Sequence, residues 1–243
     1  MSLTEQINTA LSNVILFLCE HPLSFVSESD IHMLIMKELM NIPEINPNTL
    51  YPTACTIGLN QYGKPSQKTY KTMRIHKEYG HADLDNARSD IVIFNPADIA
   101  KITDPRNLKT GKSKYDYIIP DYILEFGTEK AAGSESVFEA HLKNDIEKVN
   151  KSKIQGYIIH IQRNVVGAQG LENNRQKYRQ YAKVVHEEYQ NAKAHVKMVM
   201  ILLNIGNPNR VIKREGKVRI YKDNKFKGIN KKHLKEEIDA LLR

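Results

Sequence analysis

The chain has 243 residues, 41% hydrophobic and 26% charged, ordinary globular proportions that exclude a disordered or fibrous class. That length buries a sizeable core as one domain with trimmings, so a single domain over 1–243 is expected. A formal charge of +8 and a pI near 9.2 raise the local concentration of polyanions and favour nucleic acid as a partner.

No window reaches the roughly 18 uncharged apolar residues of a membrane span. The start, Met1 to Leu16, lacks the basic-then-apolar order of a leader, so a cytoplasmic protein without a membrane partner is expected. Cys19 and Cys55 stand apart with no CxxC or Cys/His cluster, which argues against a disulfide framework and a zinc site. Any metal is expected on oxygen ligands.

In chain order, Ser27 to Met40 opens on an N-cap serine and carries Ile31, Leu34, Ile35 and Leu39 at helical spacing before Pro43. Pro47, Pro52, Gly58, Gly63 and Pro65 punctuate loop or irregular strand to about Gln67. Thr69 to Tyr79 reads as a strand. Asp90 to Phe94 is a short β-branched run with its one charge at its first residue, the pattern of a buried strand. Beyond a polar connection lie Tyr117 to Pro120 and Tyr122 to Phe126, the proline dividing the stretch or placing its first half at an edge.

Ser136 to Asn150 has helical spacing, Tyr157 to Ile161 reads as a buried strand, and Leu171 to Ala194 as a long polar helix. Val196 to Ile205 is a nearly uninterrupted apolar strand. A hairpin over Arg210 to Tyr221 with its turn near Gly216, then a helix from about Lys231 to Leu241, close the chain. Strands alternating with helices after an antiparallel start predict a mixed sheet flanked by helices.

A carboxylate within an apolar strand costs several kcal/mol unless its charge is met, so Asp90 and Glu125 require partners. Either water or an arginine such as Arg88 at the strand ends, or a divalent cation held between neighbouring strands, would serve. The run Arg88-Ser89-Asp90-Ile91-Val92-Ile93-Phe94, followed by Ile123-Leu124-Glu125-Phe126-Gly127-Thr128-Glu129-Lys130, resembles the paired strands of the PD-(D/E)XK nuclease superfamily. The resemblance spans the Glu28 helix to the strand ending near Gln162, about half of the chain. It implies a restriction-endonuclease-like core at about 27–162, with a strand, hairpin and helix added over about 163–243.

The same resemblance implies that Asp90 and Glu125 bind Mg²⁺ or Mn²⁺, with an acidic residue of the first helix, Glu28 or alternatively Glu38, joining them. The lysine expected two residues after Glu125 is replaced by Gly127. Lys130 is the nearest substitute, and Lys143 and Lys148 on the following helix are further ones. Metal-dependent hydrolysis of DNA follows as the expected activity, and symmetric cutting of both strands would call for a homodimer. A binding protein of the same fold that has lost catalysis is the first alternative, motivated by Gly127. An unrelated α/β domain that binds a protein partner is the second.

Three further features bear on chemistry. His76 and His81 precede the Asp90 strand and could act as a base or touch phosphate. Asp83 and Asp85 lack the remaining acids and glycine of a calcium loop, and no phosphate-binding or serine-hydrolase motif is present. The last stretch concentrates cations, and Arg214, Lys217, Arg219, Lys222 and Lys225, with Arg88 upstream, are the candidate nucleic-acid contacts. Tyr221 and Phe226 among them are either base-stacking residues or small core aromatics.

Overall fold

In a computed structural model, the backbone is described for residues 1–22, 24, 27–56, 69–80, 84, 87–103, 118–128, 135–166, 171–206 and 217–243. Helix α1 (Leu3–Glu20) and helix α2 (Glu28–Met40) precede a small antiparallel pair, β1 (Tyr51–Thr56) with β2 (Thr69–Thr72). The main sheet has seven strands in sequential order. They are β3 (Ile75–Gly80), β4 (Arg88–Ile93), β5 (Tyr122–Gly127), β6 (Gln155–Val166), β7 (Val196–Gly206), β8 (Lys217–Lys222) and β9 (Lys225–Ile229). Helices α3 (Pro96–Ile99), α4 (Glu135–Val149), α5 (Leu171–Tyr189) and α6 (Leu234–Leu242), the last preceded by a 3-10 turn at Lys231–His233, complete the described elements.

The ladder β5-β6-β7 is parallel and every other pairing in the main sheet is antiparallel. Helix α4 connects β5 to β6 and α5 connects β6 to β7, the crossovers that parallel neighbours require. Period-two alternation sends side chains of each strand to opposite faces. Ile91, Ile93, Tyr122, Leu124, Phe126, Tyr157, Ile159 and Ile161 pack with α1, α2 and α6. Val92, Ile123, Ile158 and Met200 pack with Phe138, Leu142, Ile146 and Val149 of α4 and with Tyr181, Val184 and Val185 of α5. The expected mixed sheet flanked by helices is the architecture found, with a core on each face.

Helix α1 has no counterpart in the expectations above. Its start is fixed by a capping box in which Ser2 and Glu5 exchange hydrogen bonds. Ile7, Leu11, Ile15 and Leu18, all 0% exposed, form its inward stripe. It lies against α6, where the Ser12 hydroxyl donates to Asp239 at 2.5 Å.

Other boundaries shift for local reasons. The single strand expected over Thr69 to Tyr79 is two strands in different sheets, broken at Met73 and Arg74. Arg74 is buried and its Nε donates to the Phe94 carbonyl at 2.8 Å. The segment before Pro120 forms no strand over Ile118 to Pro120, and Tyr117 lies outside the described residues. The hairpin turns at Asp223 and Asn224, with φ of 50° and 61°, rather than near Gly216. Two successive positive φ values are the signature of a type I′ hairpin turn, which Asp and Asn tolerate better than other non-glycine residues. Arg210 to Gly216 lie outside the described residues. The long polar helix ends at Tyr189, before Ala194.

Candidate metal centre

The site forms where β4 begins and β5 ends. Because these strands are antiparallel and Ile91 pairs with Leu124, Asp90 and Glu125 lie one step beyond that pair, on facing positions. Residues opposite one another point to the same face, here the α4 side. Like charges so placed repel, and the fold does not separate them: the Phe126 backbone N–H donates to Asp90 Oδ2 at 2.8 Å, tying the first carboxylate to the second strand.

Glu125 is 1% exposed. Burial, and then the negative charge of Asp90, hold its carboxyl well above the ordinary range, against the opposing pull of Lys148. Lys148 Nζ contacts Glu125 Oε2, and reaches Asp145 Oδ1 at 3.0 Å and the Arg88 carbonyl at 3.2 Å. Burial alone would favour a neutral amine, but Glu125 and Asp145 outweigh it and raise Lys148 further. Glu125 Oε1 is buried with no hydrogen-bond partner among the described residues. A buried, unpartnered carboxylate oxygen beside a second carboxylate is a place where a hard cation would relieve both costs.

Helix α2 supplies the next groups. The carboxylate of Asp30 accepts from the Ser27 N–H at 2.8 Å, so Asp30 serves the helix start, while Glu28 is half-buried beside His32. Glu28 and His32, one turn apart, approach Asp90: His32 Nε2 lies 4.0 Å from Glu28 Oε1 and 3.5 Å from Asp90 Oδ2. Each of these residues offers a ligand atom within 4.8 Å of the others. Burial and then Asp90 raise the Glu28 carboxyl above its ordinary value. Two carboxylates and one imidazole make this set one that could hold a divalent cation; Glu125 lies on the facing strand position beside Asp90 and outside the set. Glu38 is half-buried further along α2 and does not share in this set.

Gly127 explains the missing lysine. It shares a face with Glu125 and pairs with His160 of the parallel neighbour. A Cβ at Gly127 would lie 2.7 Å from two atoms of the His160 ring, closer than carbon atoms approach. The imidazole occupies the space above the strand where a side chain would stand, and the lysine in contact with Glu125 is Lys148 on α4. Lys143 is exposed, and Lys130 lies outside the described residues.

His160 is 0% exposed and its Nε2 lies 3.0 Å from Asp145 Oδ2; His141 Nε2 lies 3.3 Å from the same oxygen. Burial alone would raise Asp145, but the His160 hydrogen bond and the Lys148 charge hold it below its ordinary value. Burial also lowers His141, more than Asp145 raises it. His141, Asp145 and Lys148 recur at four and three residues along α4, beside the apolar stripe of Phe138, Leu142, Ile146 and Val149. These groups join Glu125 to Asp145 through one lysine.

The remaining candidates lie elsewhere. His76 is fixed by the Met73 carbonyl at 3.0 Å and packs on Phe94, a structural arrangement. His81, Asp83, Asp85 and Arg214 lie outside the described residues, as does the side chain of Lys217. Arg88 is exposed at the head of β4. In the hairpin, Arg219 is half-buried and Lys225 exposed, while Lys222 is paired with Glu237 at 2.8 Å. Tyr221 and Phe226 face each other across the strands, ring centres 5.5 Å apart, and pack against the core on the α4 side.

Both cysteines are free thiols. Among the described residues no helix is long and apolar enough to cross a membrane. Comparison with protein-family models, with curated proteins and with solved structures finds no match.

Proposed function

We propose that this chain is a metal-dependent endonuclease of the restriction-endonuclease-like, PD-(D/E)XK kind, hydrolysing phosphodiester bonds of DNA. The observation that carries the reading is the convergence of Asp90, Glu125 and a buried lysine at one end of a mixed sheet, with an unpartnered oxygen on Glu125. Asp90 and Glu125 hold Mg²⁺ or Mn²⁺, with Glu28 and His32 at its side. When bound, such an ion polarises the scissile phosphate and lowers the pKa of water.

Lys148 opposes the upward pull of burial and Asp90 on the Glu125 carboxyl and offsets negative charge that grows on the phosphate during attack. Asp145 is a positioning residue that acts through Lys148. Arg88, exposed two residues before Asp90, reaches for the DNA backbone, and the basic hairpin with Lys217, Arg219, Lys222 and Lys225 extends the contact. Arg214 and Lys130 belong to the same reading as backbone contact and auxiliary cation. A homodimer would deliver two such centres to the two strands. One observation favours a binding protein without catalysis: Gly127 leaves no lysine on the β5 strand itself.

Supercoiled plasmid and single-stranded DNA incubated with wild type and Asp90→Asn, in Mg²⁺, Mn²⁺ or EDTA, separate these readings. The nuclease cuts only with metal and only with Asp90 present, while both proteins bind DNA. Tight, steeply salt-dependent binding without cutting in any metal would establish the binding protein. No DNA affinity at low salt would leave the protein-partner reading.

A further inference from the structure

We propose that His141, Asp145 and His160 form a second metal site, selective for a zinc-type divalent cation and separate from the hard-ion centre at Asp90 and Glu125. This goes beyond the nuclease reading and does not depend on it. His141 and Asp145 stand one turn apart on α4, and His160 comes from β6, so two rigid elements present the three groups. Their ligand atoms all lie within 4.8 Å of one another.

The distances are those of a coordination shell. A tetrahedral ion with bonds of about 2.0–2.1 Å holds its ligand atoms roughly 3.3 Å apart. His141 Nε2 and His160 Nε2 lie 3.3 and 3.0 Å from one oxygen, Asp145 Oδ2. Among the described residues His141 Nε2 is buried and has no hydrogen-bond partner, although it faces that oxygen. Two imidazole nitrogens converging on a carboxylate suit zinc far better than Mg²⁺, which prefers an all-oxygen shell with several waters.

The supporting groups are in place. Asp145 Oδ1 accepts from Lys148, so the carboxylate is oriented from behind, and Oδ2, hydrogen-bonded to His160 Nε2, is the oxygen an ion would take over. The His160 ring is held by packing: it lies over Gly127, with Phe138 edge-on at 6.0 Å and the His141 ring at 5.3 Å. His141 is 35% exposed and gives the ion a way in. Three protein ligands leave a fourth position for water, the coordination of catalytic rather than closed structural zinc sites. Through Asp145 and Lys148 the occupied site would also fix the lysine on Glu125, joining the two centres.

The test is zinc uptake by the full chain, read by competition with a chromophoric chelator and by the visible spectrum of the Co²⁺ complex. The expected result is one equivalent bound tightly by wild type and by Asp90→Asn, with His141→Ala weakened by roughly 100-fold or more. His141 is half-buried at the helix surface, so its removal leaves the core intact, and circular dichroism checks that the variant is folded. X-ray absorption on the wild-type zinc complex reads the shell without any variant, and two imidazoles are expected. Equal uptake by wild type and folded His141→Ala, no uptake by wild type, uptake lost in Asp90→Asn, or an all-oxygen shell would each overturn the proposal. DNA cleavage plays no part in these readouts, so a failed nuclease reading leaves the zinc result standing, and the reverse.

Discussion

Lys148 is the residue on which the site's electrostatics turn, because it is the cation shared by Glu125 and Asp145, both 1% exposed. Removing one partner of a buried ion pair leaves uncompensated charge, so Lys148→Ala should lower the unfolding free energy by about 3–5 kcal/mol. Neutralising Glu125 in the same chain removes one of the stranded charges. Lys148→Ala/Glu125→Gln should therefore recover part of the loss, and chemical denaturation of the single and double variants reads the coupling. Gly127 makes an opposite kind of demand. With a Cβ placed 2.7 Å from the His160 ring, Gly127→Ala must push the imidazole off its seat. Overpacking of this kind costs about 1–3 kcal/mol, read as a lowered midpoint in the same unfolding experiment. Gly127→Lys restores the lysine of the resembled motif but should be less stable still.

The turns and helix ends show where sequence signals suffice. The strands carrying Asp90 and Glu125 were legible from their β-branched runs, and α2 and α4 from apolar spacing, because each buries a face whose period is written in the chain. The hairpin was displaced because Gly216 is the stronger turn residue in isolation, whereas Asp223-Asn224 provides the two left-handed positions at which β8 and β9 pair. Asn224→Val forces a β-branched residue into that conformation and also loses the 3.1 Å contact with His186. A loss of about 1–2 kcal/mol is expected, measured by thermal unfolding. Helix α1 went unread although its Ser2/Glu5 box and apolar stripe were present in the sequence. The His141–Asp145 spacing is equally visible on α4, but His160 joins it only through the β5-β6 ladder. The expectation of oxygen ligands, drawn from the scarcity of cysteine, gave no reason to pair these imidazoles.

At the scale of the molecule, the sheet brings residues from distant parts of the chain to one end: Glu28 and His32 from α2, Asp90 from β4, Glu125 from β5, and Asp145 and Lys148 from α4. Sequence alone singled out Asp90, Glu125 and Glu28, since acids near apolar runs and helix starts stand out. It ranked Lys148 low, because only the packing of α4 on β5 turns that lysine inward. The parts that follow the parallel ladder, β8, β9 and α6, extend the same sheet and cover its face together with α1. That arrangement makes the site one corner of a continuous framework, its side chains carried by packed helices and strands.

In the proposed function Glu125 and Asp90 hold the ion needed to cut DNA while Lys148 supports the charge. Its most direct test is the single-turnover cleavage rate of plasmid DNA as a function of Mg²⁺ for wild type and Glu125→Gln, both shown to be folded and to bind DNA. The account predicts metal-dependent cutting by wild type and none above background by Glu125→Gln at any Mg²⁺ concentration. Cutting by Glu125→Gln at the wild-type rate would contradict it.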